Sequence, residues 1–326
     1  MKTVQWGIIG CGDVTEKKSG PAFNKVRNSR LVAVMRRDEE KVRDYARRHG
    51  VSKWYSNARQ LIEDDEVNAI YVATPPLYHE EYTLLALNAG KPVYVEKPMA
   101  TDLAAAKNML AASQKSGVKL SIAHYRRQQP LFKKVKTLLE NDVIGKIRLV
   151  NIRLFQGIQP GLVAKTEVNW RVDPKISGGG FFHDLAPHQL DLLIHFFGDP
   201  VDFFGMSLNQ AGLYPADDIV TGHIRFEKDV IFNGVWCFNA SRNNEADVCE
   251  IIGSGGSISF GIFKDQQITV TRDGAEEVFA FESLEHVQQP MIEAVVKYFL
   301  DESSNPCPPA DGVQTMRLIE SFTTKK

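Results

Sequence analysis

Lys97 stands between Glu96 and Pro98 at the end of the apolar run Pro92 to Val95, and far downstream Gly178-Gly179-Gly180 leads to Asp184 and, four residues later, His188. A carbinol releases hydride readily only as its hydroxyl proton is removed, and a carbonyl accepts hydride only as the new alkoxide is protonated or stabilised. A histidine titrates close enough to neutrality to move that proton, and a nearby ammonium group stabilises the oxyanion. His188 and Lys97 are the candidates for these two tasks. Pro187 reads as a residue of the first turn of a helix, and if that turn extends back to Asp184, the step of four puts Asp184 and His188 on one face. Read alone, Asp184 as an N-cap and His188 as a packed core histidine would serve equally well. The preceding glycine run and the remote lysine motif tip the reading toward chemistry.

Such chemistry needs a hydride carrier, and the amino end offers a place for one. The strand-like run Val4 to Ile9 passes directly into Gly10-Cys11-Gly12, with the first glycine suited to a tight turn and the second to close approach of the backbone to a pyrophosphate at a helix start. The third small position of such a fingerprint falls on Thr15. The cofactor's ribose is normally read where the second strand ends, by an acid that accepts from the 2′-hydroxyl. Here Leu31 to Met35 ends in Arg36-Arg37, whose planar forks suit a 2′-phosphate. NADP is favoured over NAD. A second reading stays open, with both arginines solvated and Asp38 serving NAD.

The first half alternates short aliphatic runs with amphipathic stretches, the pattern of βαβ units around a parallel sheet. Strands are expected at Val4 to Ile9, Leu31 to Met35, Ala69 to Ala73, Pro92 to Val95 and Lys119 to Ala123. Helices are expected at Asp38 to His49, closed by Gly50, at His79 to Asn88, and from Thr101-Asp102 to Gly117. Thr74-Pro75 and Glu96-Lys97-Pro98 then leave consecutive strands at the carboxyl edge, where open α/β sheets bind ligands. After a helix near Pro130 to Glu140 the chain turns to alternating runs at 146–155, 201–208, 218–226, 230–238, 248–252 and 267–271, joined by turns such as Arg272-Asp273-Gly274. These predict a large, mostly antiparallel sheet, and helices near 285–300 and 311–322 close the chain. The expected organisation is α/β: a doubly wound domain over 1–123 and an α+β domain over 124–326.

The 326 residues exceed what one core of roughly 250 to 300 residues usually fills. A net charge of −1 offers no field for nucleic acid or an acidic membrane surface. The four cysteines are scattered without a CxxC pair and read as reduced thiols, and no apolar run approaches the ~18 residues of a membrane span. A cytoplasmic location is the expectation. His183, Asp184, His188 and His195 raise the question of a metal, but no HxxxH pair is present, His195 lies within an apolar stretch, and hydride transfer assisted by Lys97 requires none. No metal is expected.

In order along the chain, Gly10-Cys11-Gly12, Thr74-Pro75, His79, Ala89-Gly90-Lys91-Pro92-Val93, Glu96-Lys97-Pro98, Trp170-Arg171 and Gly178-Gly179-Gly180 to Asp184 to His188 resemble the glucose-fructose oxidoreductase and inositol dehydrogenase family (Gfo/Idh/MocA). The resemblance covers nearly the whole chain. It implies a Rossmann domain, a second domain whose open sheet forms a homodimer or homotetramer interface, and NAD(P)-dependent oxidation or reduction of sugar-like alcohols and ketones. It further implies that Lys97 is the active-site lysine, Asp184 the substrate-binding aspartate and His188 the proton-transfer histidine, and that the bond before Pro98 is cis. Expected cofactor contacts are Gly10, Gly12, Asp13, Val14, Arg36, Arg37, Thr74, Pro75, His79, Glu96 and Lys97. Expected substrate contacts are Lys97, His124, Trp170, Arg171, His183 and Asp184. The chain departs from the family pattern at Arg36, where NAD-using relatives carry an acid, at His124, where many carry asparagine, and at Ala186-Pro187. Two other readings stand beside the oxidoreductase: an NAD-dependent glycoside-cleaving enzyme with transient internal redox, and a non-catalytic nucleotide or sugar sensor.

Overall fold

The computed structural model describes residues 1–158, 161–162, 169–264 and 266–324. They form two compact units, Met1–Gln129 with Leu284–Val313, and Pro130–Ser283 with Gln314–Lys326. The segment Leu284–Val313 thus returns to the first unit, a return that a single boundary between 123 and 124 leaves out.

The first unit is built on six parallel strands, β1 (Val4–Ile9), β2 (Ser29–Met35), β3 (Lys53–Tyr55), β4 (Ala69–Val72), β5 (Val93–Val95) and β6 (Leu120–Ile122), in the order β3-β2-β1-β4-β5-β6. Every residue of β4, β5 and β6 is buried, as both faces of a parallel sheet must be when helices cover them. Asp38 caps the helix Glu39–His49 by accepting from the Lys41 amide (3.0 Å), and Gly50 ends it in the left-handed region. The outer edge of β6 is covered by the returning segment, because Ile122 donates to the Cys307 carbonyl (3.1 Å) and Asn305 donates to that of Leu120 (2.7 Å). Edge strands left bare invite mispairing, so this cover has a physical purpose.

The second unit carries eight strands: β7 (Ile147–Phe155), β8 (Pro200–Leu208), β9 (Ile219–Phe226), β10 (Ile231–Cys237), β11 (Ala246–Gly253), β12 (Ser257–Phe260), β13 (Gln267–Arg272) and β14 (Ala275–Ala280). Their order is β14-β13-β12-β11-β7-β10-β9-β8, and only the β7–β10 pair is parallel. Alternate residues are buried along β9, β10 and β11, so one face meets a core and the other does not. On the covered face Trp236 packs against Phe182 of the helix Gly180–Phe197 and against Phe322 near the chain end. On the open face Phe204, Met206 and Leu208 are 58%, 63% and 49% exposed. Among the described residues no helix is long and apolar enough to cross a membrane.

Candidate active site

In the first unit the strand order reverses between β1 and β4, and open sheets bind ligands outside the carboxyl ends of strands at such a point. Gly10 leaves β1 there with φ of +94°, and a Cβ on it would lie 2.7 to 2.9 Å from Thr74 and Ala73. Only glycine fits that turn. Gly12 precedes the short helix Asp13–Lys17, which holds both Asp13 and Val14, and a Cβ there would meet nothing nearer than 4.0 Å, so space for a ligand backbone remains. Thr15, at the third fingerprint position, is buried and donates its hydroxyl to the Gly12 carbonyl (2.8 Å).

Arg36 follows the last residue of β2 and donates to the Cys11 carbonyl (3.3 Å). It has no carboxylate partner among the described residues, although the cleft it lines also holds Glu16, Glu40 and Asp44. Two of those acids are taken by Arg48, which grips Glu16 through two bonds of 2.8 Å and Asp44 at 2.6 Å. The Arg48 guanidinium holds the Glu16 carboxyl down to about 2. Arg37 turns elsewhere, stacking over the Tyr78 ring (4.6 Å) and donating to its hydroxyl (3.4 Å). Asp38 serves as the helix cap. The glycine turn and this cleft at the end of β2 fit a dinucleotide.

The Lys97–Pro98 bond is cis, and Lys97 is half-buried just beyond β5. Glu96 is buried beneath it. Its carboxylate accepts from the Tyr71 hydroxyl (2.5 Å), from the Gln288 amide (2.7 Å) and from the backbone N–H of Lys97 (3.2 Å). His79 is fully buried with Nδ1 2.9 Å from the Pro98 carbonyl and Nε2 2.8 Å from that of Thr74, and burial pushes its pKa down. Glu96 and His79 were expected among the cofactor contacts, but their polar atoms engage the protein and tie together the loops after β4 and β5. His124 is buried just past β6, at the same sheet edge. The tie between Gln288 and Glu96 spans 192 residues and has no local signal in the sequence.

In the second unit the helix Gly180–Phe197 begins seven residues before Pro187, which therefore lies inside it and not in its first turn. The helix start is held by Ser177, whose hydroxyl accepts from the amides of Gly179 (3.3 Å) and Gly180 (3.0 Å). Gly178 and Gly180 are left-handed, and a Cβ on Gly179 would fall onto the His183 ring, so the glycine run is a steric requirement of this turn. With the helix extending back past Asp184, Asp184 and His188 share a face. Arg171 places Nε 3.2 Å from the Asp184 carboxylate and its guanidinium over the Trp170 ring (4.4 Å). His188 is buried with its ring set edge-to-face against Phe263, centroids 5.8 Å apart. Trp170, Arg171, Asp184 and His188 are thus held by one helix and the short turn that leans on it.

His183 lies on another side of that helix, buried against Gly179. Burial pushes its pKa down to about 4. A depressed folded pKa means that the unfolded chain takes up a proton first, so this contribution to stability is complete above the ordinary histidine value near 6.5 and is lost as pH falls toward 4. We expect the urea midpoint to fall between pH 7 and pH 4.5 by the equivalent of roughly 2 kcal/mol from this group. His183→Gln should flatten that part of the profile, and an unchanged slope would show that the titration lies elsewhere.

Comparison with known proteins agrees with this architecture. The oxidoreductase family, NAD-binding Rossmann fold (GFO/IDH/MocA), matches residues 4–124, and the GFO/IDH/MocA C-terminal domain matches residues 132–259. The chain belongs to the Gfo/Idh/MocA family of oxidoreductases. An oxidoreductase of Formosa agariphila is 48% identical over 319 residues, 98% of each chain. Levoglucosan dehydrogenase in complex with NADH and levoglucosan superposes with a TM-score of 0.86 at 21% identity, covering 98% of this chain and 96% of that one. A 3-ketoreductase from Actinomadura kijaniata, in complex with TDP-benzene and NADP, does so with a TM-score of 0.83 at 20% identity, covering 98% of each. This family member is an NAD(P)-dependent oxidoreductase.

Proposed function

We propose that this oxidoreductase prefers NADP(H) and transfers hydride between the nicotinamide and a CH–OH or keto carbon of a sugar-like or polyol substrate. The observation that carries the cofactor preference is Arg36, a cation at the end of β2 without a carboxylate partner among the described residues. The substrate class is supported by the Arg171–Asp184 pair beside Trp170, since a carboxylate and a guanidinium together accept from and donate to neighbouring hydroxyls, and an indole covers the apolar face of a sugar ring.

The turn after Gly10 and Arg36 would hold a dinucleotide, which when bound would supply the hydride acceptor or donor. Lys97 stabilises negative charge on the substrate oxygen. His188 takes the hydroxyl proton in oxidation and returns it in reduction. Asp184, with Arg171 at its carboxylate, orients the substrate hydroxyl. Glu96 and His79 hold the Lys97 loop, so that the ammonium group is not left to wander. The open face bearing Phe204 and Met206 pairs with a second copy in this reading, and Phe204→Glu should convert a larger sedimenting species to a 36.5 kDa monomer if it does.

The test is a screen of sugar ketones, aldehydes and polyols with NADPH and NADH, following nucleotide absorbance. Turnover with NADPH is the expected result. Product formed without net change in the nucleotide, or with NAD retained through purification, would replace this reading with transient internal redox.

A further inference from the structure

Asp247, near the start of β11, is only 7% exposed, and its carboxylate accepts from three successive backbone amides: Ile262 (3.1 Å), Phe263 (2.6 Å) and Lys264 (2.9 Å). Bonds from N–H groups to an ionised carboxylate are about twice as strong as neutral ones, and consecutive amides turned toward one anion form a defined backbone shape. A buried charge is costly to keep, and an apolar residue would serve a sheet core at least as well. The inward neighbours on the same strand are indeed Cys249 and Ile251. What Asp247 specifically achieves is to fix the segment that follows β12. The central residue of that segment, Phe263, sets its ring at 75° to the His188 imidazole with centroids 5.8 Å apart. Such a geometry is favourable for aromatic pairs and defines the ring orientations of both partners.

We propose that Asp247 is a positioning residue for His188: by holding three successive amides it fixes Phe263, and the Phe263 ring sets the plane of the imidazole. The inference rests on the reading of His188 as the proton-transfer group, since reacting groups tolerate only about 10–20° of misorientation before turnover falls. Neither residue carries a sequence signal for this task. Asp247 lies one residue before the run expected at 248–252, and Phe263 falls between that run and the one expected at 267–271.

The experiment uses the full chain labelled at histidine Cε1 and observed by NMR, with the His188 resonance identified by its loss in His188→Asn. Phe263→Leu is expected to shift that resonance by removing the ring current, and Asp247→Asn to shift it in the same direction while the other seven histidines stay in place. Turnover on the substrate that the screen returns is expected to fall about tenfold in each variant with nucleotide affinity unchanged. Because both act through one path, the double variant should lose no more than the worse single one. Phe263→Tyr, which keeps the ring, should restore both signals. An Asp247→Asn protein that folds with an unmoved His188 resonance, or one in which all histidines move alike, would overturn the proposal. Should Asp247→Asn fail to fold, rapid hydrogen exchange at the amides of 262–264 in the native chain would overturn it, and slow exchange together with the two Phe263 variants would uphold it. Loss of the underlying proton-transfer reading shows separately, as undiminished turnover in His188→Asn with the resonance coupling intact.

Discussion

Lys97→Ala and His188→Asn are each expected to fold, to bind nucleotide as the native chain does, and to lose turnover by about a hundredfold or more, the usual scale for a general acid or base. The two losses should differ in kind. In the proposed mechanism Lys97 stabilises charge on the substrate oxygen, so its removal should raise the barrier at every pH, whereas His188 moves a proton, so its removal should also abolish one limb of the pH profile of kcat/KM. Lys97 is half-buried at a loop held by Glu96 and His79, and truncation there leaves those ties untouched. His188 is buried, so asparagine is the conservative choice: it keeps polarity and avoids a large cavity. The check is steady-state kinetics beside fluorescence titration with NADPH. Near-normal turnover in both variants would remove the proton-transfer mechanism.

Arg36→Asp is expected to lower the preference for NADPH over NADH by about a hundredfold, because charge-assisted bonds to a phosphate are worth roughly 1.5 to 3 kcal/mol and each 1.4 kcal/mol is tenfold in affinity. The sign follows from the chemistry on each side. An aspartate repels a 2′-phosphate and accepts from a free 2′-hydroxyl, so NADPH binding weakens while NADH binding strengthens. Arg37→Asp provides the contrast: Arg37 stacks on Tyr78, and its loss should change the cofactor ratio far less. An unchanged ratio in Arg36→Asp would show that Arg36 is a surface charge.

Much of this was legible in the residues because the signals are local. Mostly apolar runs of three to six residues mark strands buried on both faces, and β1, β4, β5 and β6 fall within one or two residues of their expected places. Asp38 and Gly50 bound their helix through bonds made to near neighbours, so the cap and the stop could be read directly. Strands β3 and β14 carry little burial and β12 has only four residues, and they escaped notice for those reasons. Pro187 reads as a first-turn residue, whereas Ser177 lets the helix begin at Gly180 and carries Pro187 into its interior.

By itself the sequence determined the fold class, the glycine turn at the dinucleotide site and the residue types Lys97, Asp184 and His188, since each depends on backbone conformation or helical spacing within a few residues. Tertiary structure alone decided that Arg36 faces the cleft while Arg37 lies on Tyr78, that Gln288 reaches Glu96, that Arg171 meets Asp184, and that Asp247 holds the turn carrying Phe263. Those contacts join side chains whose partners lie far away in the chain or point by rotamer rather than by spacing, and no periodicity in a sequence encodes which distant groups the folded backbone brings within reach.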